Sequence, residues 1–293
     1  MKVNKIASEI LRGEWFFHPE SIQSYAPIAY NYMYGNNTQL RVDDARPQAV
    51  FTAYTSNGKL IRPDENGQLE IPKGSIAVID CVGVLIKYGD WCTYGALEIV
   101  NALKFADDHP NIIGTVFNVD GPGGSVASVG PFIEFGKNKK KPVVALCDFA
   151  ASAHLYAMLA VADYVMADNN VSAMIGSIGV VITWMDNTKY LEEKGYKVHN
   201  IYADESEDKG KAYTEAMKGN YDIVKKDLLN PAAVQFQEFV KFKRPELKVK
   251  HPGLLTGKTF GADESVEIKL IDRVGSMTEA KQMVQILSEI KRK

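Results

Sequence analysis

The segment C-D-F-A-A-S-A-H-L-Y-A-M-L-A-V-A-D, Cys147 to Asp163, sets Ser152 after an apolar run and at the start of an alanine-rich helical stretch. A strand-to-helix turn exposes a serine Oγ, and a helix N-terminus favours negative charge developing beside it. Ala150, Ala151 and Ala153 leave room for a substrate backbone. The same position also suits a helix N-cap, in which Oγ would satisfy a backbone N–H. Upstream, N-V-D-G-P-G-G-S-V, Asn118 to Val126, separates a β-rich run from a helical one. Gly123 and Gly124 let main chain approach a ligand closely, so this turn can hold a phosphate, a CoA thioester oxygen or a peptide oxyanion. Alone it is equally well a tight strand-to-helix turn. Taken together, the two segments point to a nucleophile facing an oxyanion hole.

A serine needs a base, because its hydroxyl is almost never ionised at neutral pH. His154 is two residues on and, in a helix, points to a different side from Ser152. His199 begins a later β-rich run and His251 lies in a proline-containing loop, and neither has an evident carboxylate to orient it. The polar stretch I-Y-A-D-E-S-E-D-K-G-K, Ile201 to Lys211, offers Lys209 and Lys211. A lysine acts as base when burial or nearby positive charge lowers its pKa. Asp204, Glu205, Glu207 and Asp208 must then point to solvent. The alternative reading of this stretch is a surface loop.

The elements that would position these groups follow from periodicity. β-rich runs over 76–86, 112–119, 142–147, 164–167 and 197–202 alternate with helical patterns over 94–107, 126–137, 150–162 and 189–195. Strands separated by helices imply parallel pairing through crossovers. A long helix is expected over 213–244, with Phe236, Phe239 and Val240 on one face, and a final helix from Thr278. Residues 1–70 read as an aromatic-rich extension, either an arm on a neighbouring subunit or a lid on its own core, and 71–293 as the main domain.

The chain of 293 residues carries a net charge of −2, which gives no global bias toward nucleic acid or acidic lipid. The run Lys137 to Lys141 reads as a solvated helix end. Cys81, Cys92 and Cys147 form no pair with metal-ligand spacing and read as free thiols of a reducing compartment. No metal or cofactor is expected. No apolar window approaches the ~18 residues of a membrane span, and a cytoplasmic location is expected.

At these residues the sequence resembles the S49 peptidases, which include signal peptide peptidase A and phage capsid-assembly proteases. The resemblance runs from about Gly74 to Ala280, through S-I-A-V-I-D-C-V-G-V-L, D-G-P-G-G-S-V, A-A-S-A-H-L-Y-A-M-L-A-V-A-D, M-I-G-S-I-G-V-V and T-G-K-T-F-G-A-D-E-S-V-E-I-K-L-I-D-R-V-G-S. It implies an α/β ClpP/crotonase-like fold, a homo-oligomer, a polypeptide substrate and a Ser-Lys dyad. Carried over by position, Ser152 is the nucleophile, and Gly124 with Ala153 supplies the oxyanion donors, Gly123 lying beside them. The family usually has two glycines after the serine, where this chain has Ala153 and His154. The lysine falls on Lys209, with Lys211 as reserve, and can reach the serine of a neighbouring protomer. ClpP-type peptidases place a histidine where this chain has Gly176. With no anchor in view, the resemblance favours a phage or prophage protease cleaving capsid scaffold or coat precursors. Signal-peptide-peptidase-like peptide degradation, an acyl-CoA enzyme with Asp120 as base, and an inactive head structural protein are the alternatives.

Overall fold

Three continuous apolar runs, Ser75–Val82, Ile112–Gly121 and Val143–Ala151, form the centre of one sheet. Their near-unbroken burial is the pattern of parallel strands covered on both faces. The computed structural model describes residues 50–89, 94–183, 186, 188–197 and 199–290, together with the main chain of 15–17.

In chain order the elements are β1 (Trp15–Phe17), β2 (Phe51–Tyr54), β3 (Leu60–Ile61), β4 (Ser75–Val82), α1 (Ala96–Asp108), β5 (Ile112–Gly121) and β6 (Gly123–Ser125). Next come α2 (Val129–Asn138), β7 (Val143–Ala151), α3 (Ala153–Val161), β8 (Tyr164–Ala167), β9 (Met174–Gly176) and α4 (Thr188–Glu193). The remainder is α5 (Lys211–Met217), α6 (Asn230–Lys243), β10 (Thr259–Gly261), α7 (Ala262–Glu267), β11 (Arg273–Val274) and α8 (Met277–Ile290). The main path of the sheet runs β10-β9-β7-β5-β4-β2-β3. The pairs β4–β5, β5–β7, β7–β8 and β7–β9 are parallel, as the alternation of strands and helices requires. β2 and β10 close the two sides antiparallel.

Two apolar layers cover the sheet. On one face Ala77, Ile79, Phe117 and Cys147 pack with Leu103 of α1, Phe132 of α2 and Leu155 of α3. On the other, Ile76, Val78, Val116 and Leu146 meet Ala280 and Val284 of α8. Every residue of α3 is buried, which an apolar helix without a polar face requires. Tyr156 of α3 stacks on Phe239 of α6, with centroids 4.0 Å apart.

Several sequence expectations change. The helix expected from 150 begins at Ala153, because β7 continues through Ala151, where it pairs with Gly176 of β9. No strand forms over the described residues of 197–202; Ile201 is 93% exposed and pairs with no strand among the described residues. The helix expected over 213–244 is broken at Gly219, whose φ of +86° is left-handed, and resumes with a π-helical stretch at Val224–Leu229. The expected extension over 1–70 is partly built into the sheet, since β2 pairs with β4 along Phe51–Tyr54. Residues 1–14 and 18–49 lie outside the described residues, as does Cys92. The basic run at 137–141 ties elements together: Lys139 pairs with Asp163, Lys140 with Asp108 at 2.7 Å, and Lys141 donates to the carbonyl of Ala106 at 3.0 Å. Among the described residues, no helix is long and apolar enough to cross a membrane, and no three or more His, Cys, Asp or Glu side chains cluster as metal ligands would.

Candidate active site

Ser152 joins the end of β7 to the start of α3 with φ 58° and ψ −114°. A serine pays steric strain for this conformation, of the order of 1–3 kcal/mol, and such strain gathers at functional sites. The neighbours hold it there: the Ser152 N–H donates to the Gly176 carbonyl at 2.9 Å, and the Ser152 carbonyl accepts the first helical bond from Tyr156 at 2.9 Å. The N-cap reading fails on two counts. The backbone is not in the extended region that N-caps adopt, and Oγ makes no capping bond. Ser152 is wholly buried, and its Oγ has no hydrogen-bond partner among the described residues.

The glycine segment stands beside it. β6 runs along Leu85, whose N–H donates to the Gly123 carbonyl while its carbonyl accepts from the Ser125 N–H, both at 2.9 Å. A Cβ on Gly124 would fall 1.8 Å from the Leu85 carbonyl oxygen, so only glycine lets the two main chains approach this closely. Downstream the Ser128 hydroxyl donates to the Ser125 carbonyl at 2.6 Å and closes the turn into α2. Ala153, at the first position of α3, carries one of the N–H groups that helix geometry leaves without an intrahelical acceptor.

His154 links serine and glycine segments. Its Nδ1 accepts the Gly123 N–H at 3.0 Å, and a Cβ on Gly121 would meet the ring at 2.3 Å. Burial lowers the His154 pKa from 6.5 to about 3, and protonation at Nδ1 would also break the bond to Gly123. The ring is therefore neutral, with its proton on Nε2, a buried atom that has no partner among the described residues. Its one lone pair is already used, so His154 cannot take the Ser152 proton. In the sequence His154 stands out as a rejected base and as a departure from the glycines that the family usually has there. Its pinning of the glycine segment depends on a contact across 31 positions and carries no local signal.

The remaining candidate bases are held elsewhere. His251 Nε2 contacts Glu264 at 2.8 Å, and His199 is exposed. Lys209 is exposed in the turn before α5. Lys211 donates to Asp208 at 2.9 Å, and that hydrogen bond and charge raise its pKa, away from what a base needs. A histidine could not replace Gly176: its φ is +139° and a Cβ there would lie 2.5 Å from the Lys258 carbonyl oxygen. Asp120 is exposed, and its pKa is raised by partial burial and by Asp148. Cys81 and Cys147 are free and buried, and burial pushes both thiols far above their usual range. The structure thus brings together Ser152, Ala153, Gly123 and Gly124, and does not join either lysine to Ser152 within one chain.

Comparison with known proteins adds a name to this geometry. Among curated proteins, the chain is 24% identical over 194 residues to "Putative protease MJ0651" of Methanocaldococcus jannaschii, covering 65% of this chain and 61% of that protein. It is also 24% identical over 222 residues to "Protease 4" of Haemophilus influenzae, covering 74% of this chain and 35% of that protein. The chain thus spans less than two thirds of the length of either. Among solved structures, an enoyl-CoA hydratase/isomerase family member aligns with a TM-score of 0.41 at 16% identity, covering 76% of both chains. The 1510-N membrane-bound stomatin-specific protease aligns with a TM-score of 0.46 at 13% identity, covering 72% of this chain and 84% of that one. The family model for peptidase family S49 matches residues 136–291, a span of over half the chain that takes in Ser152, all of α3 and the sheet from β7 onward. The chain belongs to peptidase family S49.

Proposed function

We propose that this protein is a serine endopeptidase in which Ser152 attacks the scissile carbonyl and the N–H groups of Gly124 and Ala153 receive the oxyanion. The observation that carries the reading is the conformation of Ser152, strained at φ 58° and ψ −114° with an Oγ that caps nothing. A serine kept in this state serves no evident structural purpose. Its neighbours on α3 and β6 supply main-chain donors of the kind that stabilise a tetrahedral intermediate.

The proton of Ser152 needs an acceptor, and Lys209 is the residue proposed for it. Lys209 is exposed, and Ser152 Oγ has no hydrogen-bond partner among the described residues. The dyad is therefore assembled by a rearrangement of the 204–210 turn or by Lys209 of a neighbouring copy in a homo-oligomer. Removal from water on docking would lower the lysine pKa toward that of a working base. The likeness to phage forms in the sequence favours scaffold or coat precursors of a capsid as the polypeptide substrate.

The test is cleavage of an unfolded protein and of a capsid scaffold, together with labelling by a fluorophosphonate, for wild type, Ser152→Ala and Lys209→Ala. Wild type is expected to label on Ser152 and to cleave. Ser152→Ala should do neither, and Lys209→Ala should lose at least about a hundredfold, the usual span of general-base catalysis. Undiminished cleavage by Ser152→Ala would overturn the assignment. Full activity of Lys209→Ala would move the base elsewhere. Mixing inactive Ser152→Ala with inactive Lys209→Ala should restore activity if the lysine acts from a neighbour.

A further inference from the structure

The main-chain polarity of β6 shows which of its two edges faces a ligand. Leu85 uses the Gly123 carbonyl and the Ser125 N–H, so these two groups are committed to the Leu85 side. Alternation along a strand then turns both the N–H and the carbonyl of Gly124 to the opposite edge. That edge is occupied. β1 lies on it antiparallel, with Trp15 opposite Ser125, Phe16 opposite Gly124 and Phe17 opposite Gly123. β1 also lies against α3, the helix that Ser152 opens.

In an antiparallel pair, the residues whose polar groups face each other exchange both hydrogen bonds. The Phe16 carbonyl therefore faces the Gly124 N–H, the same donor proposed for the oxyanion. We infer that residues 15–17 occupy the position of a bound substrate strand along the Gly124 edge, so that the chain's own segment competes with polypeptide substrates. This inference rests on the peptidase reading of Ser152. Strand addition to a free sheet edge is a general mode of peptide recognition. A tethered occupant acts at an effective concentration of the order of millimolar, well above that of a typical free substrate. The complete burial of Ser152 agrees with a site that is closed in this state. The same edge defines the substrate class: a segment already extended, with a free N–H and carbonyl at the residue opposite Gly124, as in an unfolded or flexible polypeptide.

Two proline substitutions separate the effect of pairing from that of altered side chains. Phe16→Pro removes the N–H that faces the Gly124 carbonyl, while Phe17→Pro removes one that points away from β6. Full-length proteins are compared by the rate of fluorophosphonate labelling of Ser152, by cleavage of unfolded casein, and by amide hydrogen exchange of a peptide covering 120–126. Phe16→Pro is expected to label and cleave about tenfold faster than wild type and to lose protection over 120–126. Phe17→Pro should match wild type, and the synthetic peptide GEWFFHPE, the sequence of residues 13–20, should slow Phe16→Pro again. Equal labelling and cleavage by wild type and Phe16→Pro, with both active, would overturn the inference and leave the peptidase reading intact. Lost protection in Phe16→Pro without labelling of any protein would instead sink the peptidase reading, and the inhibitory role with it.

Discussion

Replacing His154 with glutamine tests the neutral, buried histidine directly. In the folded chain the ring stays unprotonated until the pH approaches about 3, whereas in the unfolded chain it takes up a proton near 6.5. Its folded pKa is depressed, so its contribution to stability is complete above pH 6.5 and is lost as the pH falls from there toward 3. Each pH unit in that window costs about 1.4 kcal/mol, which amounts to about 2 kcal/mol between pH 7 and pH 5 and about 4–5 kcal/mol over the whole range. Glutamine can accept the Gly123 N–H through Oε1 but does not titrate. The carboxylates are common to both proteins, so their contributions cancel in the difference. Urea unfolding of wild type and His154→Gln at pH 7 and pH 5 gives that double difference. Wild type should lose about 2 kcal/mol more than the variant on going to pH 5. A stability difference that is the same at both pH values would show that His154 titrates alike in folded and unfolded chains, and the account of how the glycine segment is pinned would fall.

Three further outcomes follow from the same geometry. Gly124→Ala must push β6 away from Leu85, because its Cβ would sit 1.8 Å from a carbonyl oxygen; fluorophosphonate labelling should fall by about a hundredfold or more while far-UV circular dichroism is kept. Ser152→Gly should be about 1 kcal/mol more stable to urea than Ser152→Ala, since glycine relieves the strained backbone at φ 58° that alanine retains; equal stabilities would mean that no strain is stored there. Burial first, and then the charge of Asp148, raise the pKa values of Asp120 and Asp168, so both groups destabilise the fold as the pH rises through the carboxylate range. Asp148→Asn should therefore raise stability at pH 7 by about 0.5 kcal/mol and leave it unchanged at pH 3, as read by thermal unfolding; the gain is small because these groups are largely solvated.

The central architecture was legible because parallel strands buried on both faces read as unbroken apolar runs. The runs around Ile79, Val116 and Ala145 met that condition, and the helices between them showed their periodicity. The start of the helix that follows Ser152 was misplaced by three residues, at 150 rather than Ala153, because Ala150 and Ala151 suit a helix and a small-residue strand end equally well. Pairing with Gly176 decided between them. The expected strand at 197–202 failed for a related reason: a β-rich run becomes a strand only when a neighbour offers its edge, and none among the described residues pairs with Ile201.

Ser152 and the Gly123–Gly124 turn could be singled out as candidates from residue order, since serine at a strand-to-helix junction and paired glycines before a helix are types suited to that chemistry. What the sequence left undecided was whether Ser152 caps a helix or is held strained above it. That depended on the Gly176 carbonyl, 24 positions away, taking its N–H. The role of His154 and the occupant of the Gly124 edge likewise depended on contacts between distant segments, Gly123 with His154 and Phe16 with Gly124. Local residue types set which groups are reactive; only the folding of remote main chain onto them set which lone pairs and N–H groups are already used and which remain free for a substrate.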